Sequence, residues 1–127
     1  MVTTRHLMKD DLAKVQAGMP VLEAAKIMRE RRIGSVFVQQ QGRIVGIVTE
    51  SDIVRKLTAD CRCPQNVLVQ DIMSSPVIGI DAGRPITDAA DLMDRSQTRH
   101  LAVMKSGDIV GVLSVRDLLH PVAIDEF

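Results

Sequence analysis

Two short stretches of this chain each end an apolar run on a hydroxyl and place a carboxylate three residues later. "GIVTESDIV" presents Thr49 and Asp52, and "GVLSVRDLL" presents Ser114 and Asp117. At a strand-to-helix junction that pattern can do two things. It can be a capping box, in which the hydroxyl accepts a bond from a free backbone N–H and the acid reaches back to the cap residue. It can also be a ligand wall. A helix start offers unsatisfied N–H groups to a phosphate, the hydroxyl adds another bond, and a carboxylate one turn in can accept both hydroxyls of a ribose. Hydroxyl toward phosphate and carboxylate toward sugar is a combination that fits a nucleotide, but the spacing alone leaves both readings open.

Few other residues are equipped for chemistry. Cys61 and Cys63 lie in "DCRCP", too close for an easy mutual disulfide, and a structural zinc site usually needs four ligands. Two free thiols in a linker is the plain reading, with a metal or redox role as the alternative. His100 has neither His6 nor His120 near it in sequence, so no metal site is expected there. Phosphate-loop and H-E-x-x-H patterns do not occur, nor does a Ser/His/Asp arrangement, and the chain is expected not to be an enzyme.

The elements that must hold the two motifs come in duplicate. "GMPVLEAAKIMRERRIGSVFVQQQGRIVGIVTESDIVRKL" (18–57) aligns without a gap on "GRPITDAADLMDRSQTRHLAVMKSGDIVGVLSVRDLLHPV" (83–122), at a constant offset. Gly46 falls on Gly111, Asp52 on Asp117 and, upstream, Met8 on Met73. The boundaries are read as repeat 1 over 7–57, a polar linker over 58–71 and repeat 2 over 72–122. Each copy begins with an extended piece, "AKVQA" or "VIGID". A helix then starts near Pro20 or Pro85, with Val21, Ala24, Ala25 and Met28, or Ile86, Ala89, Ala90 and Met93, on one face. Two strands joined through Gly42 or Gly107 follow, and then a short helix after the motif. The expected fold class is α/β (α+β), two tandem β-α-β-β-α repeats. One three-stranded sheet with one helical flank is a poor core, so the two copies are expected to form one compact module with pseudo-two-fold symmetry.

Composition narrows the function classes. The chain has 127 residues, 46% of them hydrophobic and 25% charged, which suits a globular domain. Basic and acidic residues balance and aromatics are 2%, with no Trp or Tyr, which argues against nucleic-acid partners that need positive charge and stacking platforms. No apolar run approaches a membrane span, and the N-terminus lacks the apolar centre of a signal peptide, so a cytoplasmic location without membrane insertion is expected.

The tandem unit resembles a pair of CBS domains, a Bateman module. The residues that carry the resemblance are "LMKDD…VQAGMPVLEAAKIM…RRIGSVFV…GRIVGIVTESDIV" and "IMSSPVIGIDAGRPITDAADLM…TRHLAVMKSGDIVGVLSVRDLL", with the T/S-x-x-D ending in the family's place in both copies. The resemblance implies a stand-alone sensor that couples binding of AMP, ADP or ATP, and more rarely S-adenosylmethionine or NAD(H), to the conformation of a homodimer or of a protein partner. No cofactor is required. It implies one ligand cleft in which Thr49 and Asp52 meet Pro76, Val77, Ile78, Arg99 and His100, and a second in which Ser114, Arg116 and Asp117 meet Ala13, Ile33 and Gly34. Because Arg99-His100 stands where the other copy has Gly34-Ser35, the Asp52 cleft is expected to hold phosphate better, with Arg116 a partial compensation in the other. The family's usual proline in the second strand is absent from "VFV" and "LAV". The alternative function is a ligand-free structural module that dimerises or docks on a partner.

Overall fold

The structure, a computed structural model, describes residues 1–119. His120 and the expected end of repeat 2 at 122 lie outside the described residues. The elements run α1 (Thr4–Leu7), β1 (Lys14–Gln16), α2 (Val21–Arg31), β2 (Ser35–Gln40), β3 (Arg43–Thr49), α3 (Glu50–Ile53), α4 (Val69–Ile72), β4 (Gly79–Asp81), α5 (Ile86–Ser96), β5 (His100–Lys105) and β6 (Asp108–Ser114). A widened π-type turn, Val54–Thr58, prolongs α3, and a 3-10 helix, Val115–Leu119, follows β6. Both repeats therefore show the expected β-α-β-β-α order, in a mixed α/β fold with two three-stranded sheets.

In each sheet the middle strand pairs in parallel with the short first strand and antiparallel with the third, giving the orders β1-β2-β3 and β4-β5-β6. The hairpins turn through Gln41-Gly42 and Ser106-Gly107, all four residues with positive φ, the backbone that a two-residue type I′ connection demands. Each hairpin carries a register shift, after Val38 and after Val103. A one-residue bulge of this kind bends the strand and turns its remainder. The same irregularity in both copies brings Thr49 opposite Ser35 and Ser114 opposite His100.

Pro20 and Pro85 are the cap residues of α2 and α5, one position ahead of the first helical residue, with nearly identical extended backbones. Val21, Ala24 and Met28 bury the expected face of α2. The corresponding face of α5 is narrower than expected. Ala89 and Met93 are buried, Ile86 and Leu92 pack partly, and Ala90 is exposed. Leu92, the counterpart of Ile27 in the first unit, packs partly on the core at the other edge of this face.

The chain folds as two compact units. The first is Ala13–Val77, and the second joins Met1–Leu12 to Ile78 onward. The first unit's core gathers Val15, Val21, Met28, Val36, Val48 and Ile72, and the second's gathers Leu7, Ile80, Ala89, Leu101, Val103 and Leu113. The segment leading into each repeat thus packs with the other repeat's sheet. Thr4 N–H donates to Arg84 O at 2.9 Å, its hydroxyl donates to Asp81 O at 2.8 Å, and Lys9 bridges to Val112. In the first unit α4 does the equivalent work. Val69 and Ile72 are buried, and Ser74 bridges to Ile47. Residues 58–71 therefore contain core side chains, Val67 and Val69, as well as polar turns.

Candidate functional site

Each motif sits where the third strand of its sheet ends. In the first unit Thr49 leaves β3 with an extended backbone and becomes the cap of α3. Asp52 N–H donates to Thr49 Oγ1 at 3.2 Å, and Thr49 N–H donates back to Asp52 Oδ2 at 3.0 Å. The Thr49 hydroxyl also donates to Oδ2, at 3.1 Å. The second unit repeats the bonds to the carboxylate. Ser114 N–H and hydroxyl donate to Asp117 Oδ2 at 2.8 and 3.1 Å. Both carboxylates are buried, Asp52 at 5% and Asp117 at 6% exposure, so each needs partners that offset the loss of water. The full capping box is formed at Thr49, and at Ser114 the carboxylate's half of it is formed.

The outer oxygens differ. Asp52 Oδ1 accepts the Ser74 hydroxyl at 3.0 Å and the Lys56 ammonium at 2.8 Å. Lys56 in turn donates to Ile72 O at 3.0 Å, which ties α3 to the end of α4. A carboxylate has about four lone-pair sites, and all four of Asp52's are used. Among the described residues Asp117 Oδ1 faces only Lys9 Nζ, at 3.7 Å, an ion pair too long for a hydrogen bond. Lys9 is the repeat equivalent of Ser74, and Pro121 stands where Lys56 would repeat. Each buried carboxylate is thus offset by a lysine, but from different elements and at different tightness. Sequence reasoning missed Lys56, Ser74 and Lys9. The four-residue step from Asp52 to Lys56 was an available signal, since i and i+4 share a helix face.

The other expected site residues divide between the units. The first holds Ala13, Ile33, Gly34, Pro76 and Val77 beside the Thr49 turn's own sheet. Gly34 O accepts the Glu50 N–H at 3.1 Å, and Ala13 O accepts the Phe37 N–H at 2.9 Å. Pro76 is exposed and follows a cis peptide bond, and Ile33 and Val77 are half-buried. The second unit holds Ile78, Arg99, His100 and Arg116. Arg99 O accepts the Val115 N–H at 2.9 Å, the counterpart of the Gly34 contact, so the Arg99-His100 backbone braces the Ser114 turn. The side chains of Arg99 and Arg116 are exposed and His100 is half-buried. Cys61 and Cys63 are both exposed free thiols, and no group of three or more metal-ligating side chains occurs among the described residues.

The CBS domain family model matches the chain twice, over residues 5–59 and 69–123. The chain belongs to the CBS domain family. A 17.7 kDa protein of Acidianus ambivalens is 39% identical over 107 residues, 82% of this chain, and the chain spans 63% of that relative's length. A protein with CBS domains from Burkholderia ambifaria has a solved structure that matches 99% of this chain and 97% of its own, at 29% identity and a TM-score of 0.92. A hexameric CBS-CP12 protein from bloom-forming cyanobacteria matches 99% of this chain and 74% of its own, at 25% identity and a TM-score of 0.89. Tandem CBS domains are generally regulatory, ligand-binding modules, and stand-alone CBS proteins are regulatory rather than catalytic families. No helix among the described residues is long and apolar enough to cross a membrane.

Proposed function

We propose that this CBS pair is a regulatory module that binds adenosine nucleotides, AMP, ADP or ATP, through its two capped turns. The observation that carries the reading is the twin buried carboxylate, Asp52 and Asp117, each held at a strand end with one oxygen on the cap and the other turned to a lysine. The capped oxygen fixes the carboxylate's orientation. The outer oxygen can exchange its protein donor for the hydroxyls of a ribose. A donor exchanged for a donor keeps the buried charge satisfied, which a water-free apolar ligand could not do. Binding shifts conformation only if the ligand prefers one arrangement. Displacing Lys56 and Ser74 supplies such a preference, because those contacts hold the chain between Ile72 and Ser74.

The contacts within each unit favour Asp117 over Asp52 for the sugar, since a 3.7 Å ion pair yields more easily than a 2.8 Å one. Titration with adenosine against AMP separates the sugar's contribution from the phosphate's. Calorimetric titration with AMP tests the function. Asp52→Asn and Asp117→Asn keep the cap's shape and remove its charge. Each should weaken binding by about tenfold or more, for a charge-assisted bond of roughly 1.5–3 kcal/mol. Unchanged binding in both would refute the site.

A second reading has its own observation: every acceptor position of Asp52 is already filled by the protein, so the turn is complete without a ligand. That reading is a structural module that pairs with a second copy. The helical segments after the two motifs expose apolar side chains at equivalent positions, Val54 at 59% and Leu119 at 72%. The hexameric CBS-CP12 relative supports self-association. Light scattering at micromolar concentration should give a dimer, and a monomer that binds no AMP would refute both readings.

A further inference from the structure

The second unit contains a hollow of about 360 Å³, lined by Thr3, Arg5, His6 and Lys105 with the turn that runs from Asp81 to Gly83 and by no residue of the capped turns. We propose that this hollow is an anion site for a small phosphate monoester. The argument is internal to the chain, because the first unit builds the same corner without positive charge.

The repeat offset sets Arg5 against Gln70, His6 against Asp71, Lys105 against Gln40 and Asp81 against Gln16. The corner does the same structural work in both units. In the first, the Asp71 carboxylate caps α4 by accepting the Leu68 N–H at 3.3 Å. In the second, His6 Nδ1 accepts the Thr3 N–H at 3.0 Å and caps α1. That bond requires an unprotonated Nδ1, which leaves the ring's proton on Nε2, on the far side of the ring from the cap. The substitution replaces a carboxylate with a donor and leaves the cap intact. Gln70 and Gln40 show likewise that the fold does not need cations at positions 5 and 105.

The charges of the hollow are Arg5, Lys105 and Asp81. Asp81 Oδ2 accepts the Gly83 N–H at 2.9 Å, a bond internal to the turn. Neither Arg5 nor Lys105 makes an ion pair or a side-chain hydrogen bond among the described residues. Two uncommitted cations, one of them a guanidinium with a fork that matches phosphate oxygens, stand beside a third donor, His6 Nε2. The volume falls in the range of small-ligand sites, with room beyond the phosphate itself.

Inorganic phosphate is the probe, titrated into the labelled protein at constant ionic strength and followed by amide chemical shifts. Saturable shifts are expected at Arg5, His6 and Gly83, with Gln70, Asp71 and Gly18 unmoved. Arg5→Gln with Lys105→Gln installs the residues that the other repeat carries at the same places, so the fold is kept. It should weaken phosphate by about tenfold or more. Linear shifts scattered over surface lysines and arginines, equal shifts with chloride, or full retention of binding in the double variant would each overturn the site. None of these results depends on whether the capped turns bind a nucleotide.

Discussion

Lys56→Met separates two roles that the Asp52 turn combines. Lys56 donates to Asp52 Oδ1 at 2.8 Å and to Ile72 O at 3.0 Å, and approaches Ser74 Oγ at 3.4 Å. Its side chain is 44% exposed and its partner's 6%. A fully exposed pair would contribute at most about 1 kcal/mol, and breaking a fully buried one costs roughly 3–5 kcal/mol. Here the carboxylate keeps three donors, from Thr49 N–H, the Thr49 hydroxyl and the Ser74 hydroxyl, so it is not orphaned. Solvent screening of the half-exposed ammonium and those three bonds put the expected loss at about 1–2 kcal/mol. For a chain of this size that lowers Tm by roughly 4–8 °C. Without Trp or Tyr the transition is read by far-ultraviolet circular dichroism.

The same substitution should tighten the binding of adenosine. The sugar competes with the ammonium for Oδ1, and adenosine has no phosphate that the lysine could attract instead. If half or more of the ion pair's contribution is released, affinity at the Asp52 turn rises by about two- to thirtyfold. Lower stability with higher affinity is an unusual pairing, because a general loss of structure would weaken both. A parallel fall in Tm and in adenosine affinity would refute the competition, and an unchanged Tm would refute the tie between α3 and α4.

Gly46→Ala should destabilise by about 1–3 kcal/mol, since its Cβ would lie 2.5 Å from Met73 Sδ and 3.0 Å from Ser74 O. The methionine can swing away, but Ser74 is bonded to Ile47 through both its backbone groups, so Met73→Ala should restore only part of the loss in urea unfolding. Thr4→Val keeps the shape of a fully buried side chain and removes its bond to Asp81 O, with an expected cost of about 1–3 kcal/mol by the same measurement. Thr49→Ala removes the cap acceptor and one donor to Asp52, for about 1–2 kcal/mol, and a loss no greater than that of an exposed polar-to-alanine change would refute the capping geometry.

The elements were legible because each rests on a local rule. Gly42 and Gly107 adopt the positive φ that a two-residue hairpin needs, and Pro20 and Pro85 occupy the helix caps. The motif was legible for the same reason, since Thr49 to Asp52 is one helical turn. What could not be read was which lysine meets which carboxylate. Lys56 comes from the helix itself, but Lys9 reaches Asp117 from the far end of the chain, and nothing near Asp117 in sequence signals it.

The exchange of lead-in segments explains why. The two copies carry the same lock, Met8 with Gly111 and Met73 with Gly46, and in each case the missing Cβ makes room for the methionine. By residue type Met8 could fill either gap, so a duplicated sequence leaves the pairing undetermined. In the structure Met73 takes Gly46 and Met8 takes Gly111, so the N-terminal segment closes on the second sheet. That placement brings Lys9 to Asp117 and sets Arg5 and His6 beside the 81–83 turn. Identical repeats thereby acquire different surroundings for their carboxylates. Equal motifs need not be equal sites, because the residues that distinguish them arrive on the exchanged segments.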